Sequence, residues 1–255
     1  MPSLLIRLAI QSPLIFIAAA KFVPSMMSNV KQGISAVGGG DLPPDDVLQK
    51  IAYAEFGVAA ITVLNIMPTL GSFLTALQFA TPIMFLAPAF DVSQVSPYYA
   101  FILLLHLACA VIHLNNSISL PSIFRRGLMV APVAYMGYMK LYGDWKGIER
   151  GVLAVSPDTT MPPADALAKM AYVELGGALL VTLGIFPSLF NKIVALNYAT
   201  PIILLVMGGN GVEKIKNAPA YQQFLLCFHV AIAIALWADA TYPTPKAEKK
   251  KGKQD

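Results

Sequence analysis

Six ionisable side chains fall inside stretches that are otherwise apolar: Lys21, Glu55 and His106, then Lys140, Glu174 and His229. An acid, a cation and an imidazole held together out of water can hydrogen-bond a polar head group, carry a proton, or lock helices to one another. A charged residue at the centre of a bilayer costs about 2.5–3.5 kcal/mol on insertion scales, so its presence asks for a partner or a use. The second trio is the first one displaced, because Lys21 to Lys140 and Glu55 to Glu174 both step by 119 positions. His106 and His229 correspond after an insertion of about four residues in one loop. Tyr53 and Tyr172, each two residues before a repeated glutamate, could donate a hydrogen bond from a neighbouring face. Thr81 and Thr200 precede Pro82 and Pro201 and are placed to satisfy carbonyls that proline frees. These four are candidate ligand-lining positions. No residue is assigned a catalytic role, and no set of metal ligands is assigned. His113 shares a helix face with His106, but its counterpart is Leu236, so it stands outside the repeated constellation.

The elements that carry these residues follow from the same repeat. Ala52-Tyr53-x-Glu55-x-Gly57 returns as Ala171-Tyr172-x-Glu174-x-Gly176, and about half of the paired positions from Pro43 to Ile83 and Pro162 to Ile202 are identical. A unit of roughly 120 residues is therefore read as duplicated. Crossing the hydrocarbon core takes about 20 apolar residues as a helix. Eight stretches are expected to do so: Leu4–Met27, Pro44–Ile66, Leu70–Phe90, Ser96–Leu114, Pro121–Tyr142, Pro163–Ile185, Ser188–Met207 and Ala218–Ala240. The fold expected is all-α, a polytopic membrane protein with eight transmembrane helices in two parallel four-helix repeats, 1–118 and 119–241, followed by a basic tail, 242–255. Pro44 and Pro163, with Asp46 and Asp165 two residues on, mark helix starts with acid in the first turn. Pro82 and Pro201 fall inside helices and are expected to kink them.

Depth separates the polar residues. Glu55 lies about ten residues into its helix, near mid-membrane at about 1.5 Å per residue. His106 lies equally far into a helix that starts on the same side, which would allow the two to face one another. The lysines are shallower, and two readings stay open for them: pairing with the glutamates, or snorkelling to head groups. Lys140 is followed by Asp144, Trp145 and Lys146, an interfacial signature. The glutamates are read either as buried acids that fix packing or as a site for a polar head group or a proton. The histidines are read either as hydrogen-bonded core residues or as members of that site.

Composition agrees with a membrane setting: 56% of residues are hydrophobic and only 13% are charged, well below the quarter usual in soluble domains. Cys109 and Cys227 lie in apolar runs without a CxxC partner, which argues against a disulfide framework or a zinc site. Arg7 interrupts the first apolar run, so no cleavable leader is expected there. One side of the bundle collects Arg7, Arg125, Arg126, Lys192 and the lysine-rich tail; the other collects Asp41, Asp45, Asp46, Asp91, Asp144, Glu149, Asp158, Asp165 and Glu213. The positive-inside rule then puts both termini in the cytosol, or in the matrix or stroma of an organelle. No nucleophile triad, Walker loop or nucleic-acid module is evident, and nucleic acid is not an expected partner.

Each half resembles the DoxX-like family of small four-helix membrane proteins. The resemblance rests on Arg7-Leu8-Ala9 and Lys21-Phe22-Val23-Pro24 in the first helix, and on Glu55-Phe56-Gly57 and Glu174-Leu175-Gly176-Gly177 in the second helices. It covers the first three helices of both halves, and a fused tandem pair departs from the usual single unit. Relatives in that family include membrane subunits that pass electrons to quinone, and chaperones or cargo receptors. The resemblance does not select one chemistry. With no complete catalytic set, and with long loops on one side and a basic tail available for contacts, the expected function is a non-catalytic accessory or assembly subunit of a larger membrane complex, respiratory or otherwise energy-transducing, with the lipid bilayer and other membrane subunits as partners. A quinone-linked oxidoreductase subunit using the Glu/His residues is the alternative, with quinone or a bound lipid as its ligand. A proton-coupled small-molecule transporter is the further alternative.

Overall fold

Proline punctuates this chain, and the helices start and stop where it stands. A computed structural model describes residues 3–38, 42–86, 97–143, 162–207, 213 and 220–241. Among these residues the fold is all-helical. The helices are α1 (Leu4–Ala20), α2 (Pro24–Gly38), α3 (Asp45–Val63), α4 (Pro68–Leu86), α5 (Pro97–Ser117), α6 (Ser122–Tyr142), α7 (Ala164–Leu183), α8 (Pro187–Met207) and α9 (Ala220–Thr241).

Pro44 and Pro163 cap α3 and α7 with the same backbone conformation, φ −57° and ψ 154°, and the first turns that follow carry Asp45 and Asp46, or Asp165. Carboxylates there face the positive end of the helix dipole. The other ends of these two helices also match. Ile66 N–H bonds to the Ile61 carbonyl and Ile185 N–H to the Leu180 carbonyl, both across five residues. The turn needs a left-handed residue, supplied by Asn65 (φ 60°) and Gly184 (φ 71°), two of the residue types that tolerate it best.

The first helix departs from expectation. A single span to Met27 was expected, but α1 ends at Ala20 and α2 leaves at 106°. Pro24 is the cause. The residue before a proline is pushed out of the α region, so Val23 cannot continue the helix, and Pro24 suits the first position of the next one. The N–H groups of Lys21, Phe22 and Val23 fall back on the carbonyls of Ala18, Ala19 and Ala20. In the second half Gly143 stands at the position of Pro24, and α6 runs on through Lys140 to Tyr142.

Packing follows one scheme in both halves. The first long helix lies on the second (α1 on α3, α6 on α7), and the third on the fourth (α4 on α5, α8 on α9). The halves join by a reciprocal exchange: α1 packs on α9, and α6 packs on α5. Down the middle, α5 meets α9, where Leu105, Ala108 and Cys109 share the core with Phe228, Ala231 and Ile232. Many buried positions at helix contacts are small, among them Ala18, Ala52, Ala59, Ala76, Ala171 and Ala178. Large apolar side chains fill the centre, among them Leu14, Phe79, Leu105 and Phe228, and others point outward, including Leu5, Phe73, Met84, Phe124, Val173, Leu179, Phe186 and Val206. Small residues at helix contacts permit close backbone approach.

The expectation of eight crossing helices is corrected on length and apolarity alone. Among the described residues two helices meet both requirements, Ala100–Ser117 in α5 and Ala164–Leu183, or three if the bent pair α1 and α2 is taken as one span. Charged residues interrupt α3 (Asp45, Asp46, Lys50 and Glu55) and α6 (Arg125, Arg126 and Lys140), while in α9 the stretch Gln223–Asp239 is apolar but shorter. The basic tail 242–255, the segment 144–161 with Trp145 and Lys146, and Asp41 and Asp91 lie outside the described residues.

Candidate functional site

Two of the three repeated ionisable positions meet. Lys21 caps the C-terminus of α1 and donates to Glu55 Oε1 on α3. Lys140, in the last turn of α6, donates to Glu174 Oε1 on α7. Both pairs are deeply buried, with side-chain exposures of 5% and 9% for the first and 8% and 5% for the second. The lysines are thus engaged with the glutamates.

Small residues make this reach feasible. Ala18 and Gly137 lie three residues before the lysines; Ala52 and Ala171 lie three before the glutamates, on the same helix faces. All of these positions are buried. A Cβ placed on Gly137 would come within 3.1 Å of the Ala171 carbonyl and 3.2 Å of Glu174 Cβ, so α6 and α7 are in backbone contact beside the ion pair.

The second carboxylate oxygen of each glutamate, Oε2, is buried without a hydrogen-bond partner. In the second half Asn197 Nδ2 on α8 also donates to Glu174 Oε1 at 3.3 Å. Its counterpart by position is Gln78, whose Oε1 is buried and unpartnered. Neither amide stood out in the sequence. The signal available was that positions 78 and 197, equivalent in the repeat, both carry a carboxamide.

The histidines are placed elsewhere. His106 Nδ1 bonds to the Ile102 carbonyl at 2.9 Å, one turn back on α5, and His229 Nδ1 to the Leu225 carbonyl at 2.8 Å on α9. The His106 ring lies 4.6 Å from Phe228 and 5.9 Å from Phe224, both on α9. His229 lies 6.1 Å from Phe101 on α5 and 6.0 Å from Tyr198 on α8. They therefore sit where the fourth helices of the halves cross, among aromatic rings. Glu55 and His106 do not face one another, because α3 packs on α1 and α4 while α5 packs on α4, α6 and α9.

The four ligand-lining candidates lie on outer faces. Tyr53 and Tyr172 are 68% and 66% exposed, and the Tyr53 ring meets the edge of Phe22 at 4.9 Å. Thr81 donates to the Leu77 carbonyl and Thr200 to the Leu196 carbonyl. The carbonyls deprived of a donor by Pro82 and Pro201 are those of Gln78 and Asn197, so the threonines bond one residue short of the expected acceptors.

Further polar links tie the bundle together. Gln11 Nε2 on α1 donates to Thr75 Oγ1 on α4 at 3.2 Å, a buried contact; the counterparts of these residues are Val130 and Val194, both buried. Arg125 grips Asp239 at the near end through two bonds of 2.8 and 3.3 Å, and Asn191 adds a third at 3.2 Å. Tyr198 donates to the Met129 carbonyl at 3.0 Å. Cys109 and Cys227 are free thiols. Among the described residues no three His, Cys, Asp or Glu side chains converge as metal ligands.

Set against protein-family models, curated proteins and solved structures, the chain matches none.

Proposed function

We propose that the chain is a non-catalytic integral membrane protein of the DoxX-like kind, a duplicated four-helix unit that serves as an accessory or assembly subunit of a larger membrane complex. In this reading the eight long helices cross the bilayer together, with both termini on the cytosolic, matrix or stromal side. Lys21 with Glu55, Lys140 with Glu174, and Arg125 with Asp239 point inward and bind one another. Asp45, Asp46 and Lys50 lie exposed in the first turns of α3, and the outward faces carry Leu, Ile, Val, Phe and Met. At about 1.5 Å per residue the 21 residues of α5 span about 31 Å, close to the thickness of the hydrocarbon core.

One observation carries the accessory reading: in both halves the deep lysine is spent on the deep glutamate, joining the first helix to the second. Side chains used this way hold a scaffold in shape. A quinone-linked reading asks a glutamate and a histidine to share one ring, and a histidine whose Nδ1 is bonded to its own helix beside Phe228 is poorly placed for that. A transporter reading asks for a polar passage between the halves, where the core instead holds Phe79, Leu105, Phe228 and Ile232.

Purification from its own membranes in a mild detergent tests the proposal. A stoichiometric membrane partner is expected to stay with the chain. A lone 27.3 kDa species under every gentle condition, with quinone turnover that falls on Glu55→Gln, would replace the accessory reading by the quinone-linked one.

A further inference from the structure

The bend between α1 and α2 opens a cleft of about 250 Å³ against the start of α3. Lys21 and Met27 lie deep in it, Phe22 and Gln49 also line it, and Lys31 and Asp45 stand more exposed at its mouth. Lys31 and Asp45 form an ion pair whose side chains are 30% and 62% exposed. Exposed pairs of this kind contribute little, so a ligand that brings both charges can take their place. Lys21 has three N–H donors and gives one to Glu55 Oε1. The cleft thus offers two ammonium groups and one carboxylate beside an aromatic ring and a thioether. With Glu55 counted behind Lys21, its formal charge is zero.

We infer that this cleft binds a phosphoethanolamine group, its phosphate between Lys31 and Lys21 and its primary ammonium on Asp45. A neutral cleft with separated charges fits a zwitterion better than an anion. A choline group has no N–H for the Asp45 carboxylate, and a glycerol head group offers it neutral hydroxyls but no cation. Phe22 and Met27 offer apolar contact for the part of a lipid that follows the phosphate. This cleft, between α1, α2 and the start of α3, holds one such group.

The inference rests on the membrane placement proposed above. Native mass spectrometry of the full chain in detergent, with phosphatidylethanolamine, phosphatidylcholine or phosphatidylglycerol added at equal concentration, tests it. One phosphatidylethanolamine per chain is expected, favoured about tenfold over the other two, as a charge-assisted hydrogen bond would give. Asp45→Asn and Lys31→Gln lie at exposed positions and should abolish that preference without unfolding the bundle. Displacement by free phosphoethanolamine assigns the site to the soluble group; retention of the lipid against it assigns the site to the lipid head group. Equal retention of the three lipids, or a preference unchanged in both variants, overturns the inference. Alkaline extraction of membranes separates the two claims, because a chain that washes off yet still prefers phosphoethanolamine would sink the membrane placement alone.

Discussion

Removing Lys140 is the sharpest perturbation of the bundle. Its ammonium and the Glu174 carboxylate are 8% and 5% exposed, so neither can turn to solvent without moving a helix. In Lys140→Met the carboxylate keeps only the Asn197 amide at 3.3 Å. Stranding a buried charge in this way costs about 3–5 kcal/mol, a loss of more than about a hundredfold in the folded-to-unfolded ratio. Glu174→Leu should cost a similar amount by stranding the ammonium. The double variant removes both charges and should return to within about 1 kcal/mol of the parent, leaving a coupling energy of at least about 5 kcal/mol. Reversible unfolding in mixed micelles, followed by circular dichroism, measures all four corners of the cycle. The exposed Asp46–Lys50 pair, 66% and 76% exposed, is the control and should couple by about 0.5 kcal/mol or less. If Lys140→Met unfolds within about 0.5 kcal/mol of the parent, the ammonium is resting among lipid head groups and the reasoning fails.

Two other outcomes follow from close contacts. Gly137→Ala should cost about 1–3 kcal/mol, since its Cβ would lie 3.0 Å from Leu175 Cγ and 3.1 Å from the Ala171 carbonyl. Gly57→Ala meets nothing within 4 Å and should be neutral or stabilise by up to about 1 kcal/mol, so the two melting temperatures should move apart. Arg125→Ala breaks two bonds to Asp239 at a site 15–18% exposed and should cost about 2 kcal/mol in the same micelle assay. Asp239→Asn, which keeps an acceptor, should cost less.

Much of the local structure was legible in the chain. Proline followed by acid marks the starts of α3 and α7 in the sequence, and both helices begin there, because ring closure and the dipole act within one turn. The all-helical class was legible from long runs apolar on every side. The break at Lys21–Val23 was also written locally, in Pro24, but the apolar run on either side of it masked the signal. Which polar residues have inward partners was not legible in this way: one that a partner satisfies and one that faces outward read alike in sequence.

The sequence by itself determined which residue types recur, with lysine, glutamate and histidine returning in the same order at nearly constant separation, and it determined where helices start. Only the tertiary structure decided who meets whom. Lysine reaches glutamate because α1 packs on α3 with Ala18 and Ala52 buried, and because Gly137 lets α6 close to backbone contact with α7 at Ala171. Histidine goes to the crossing of α5 and α9 because the fourth helices of the two halves exchange neighbours there. Side-chain spacing along a helix fixes a face, but the face opposite it is chosen by packing across tens of residues, and no local pattern carries that choice.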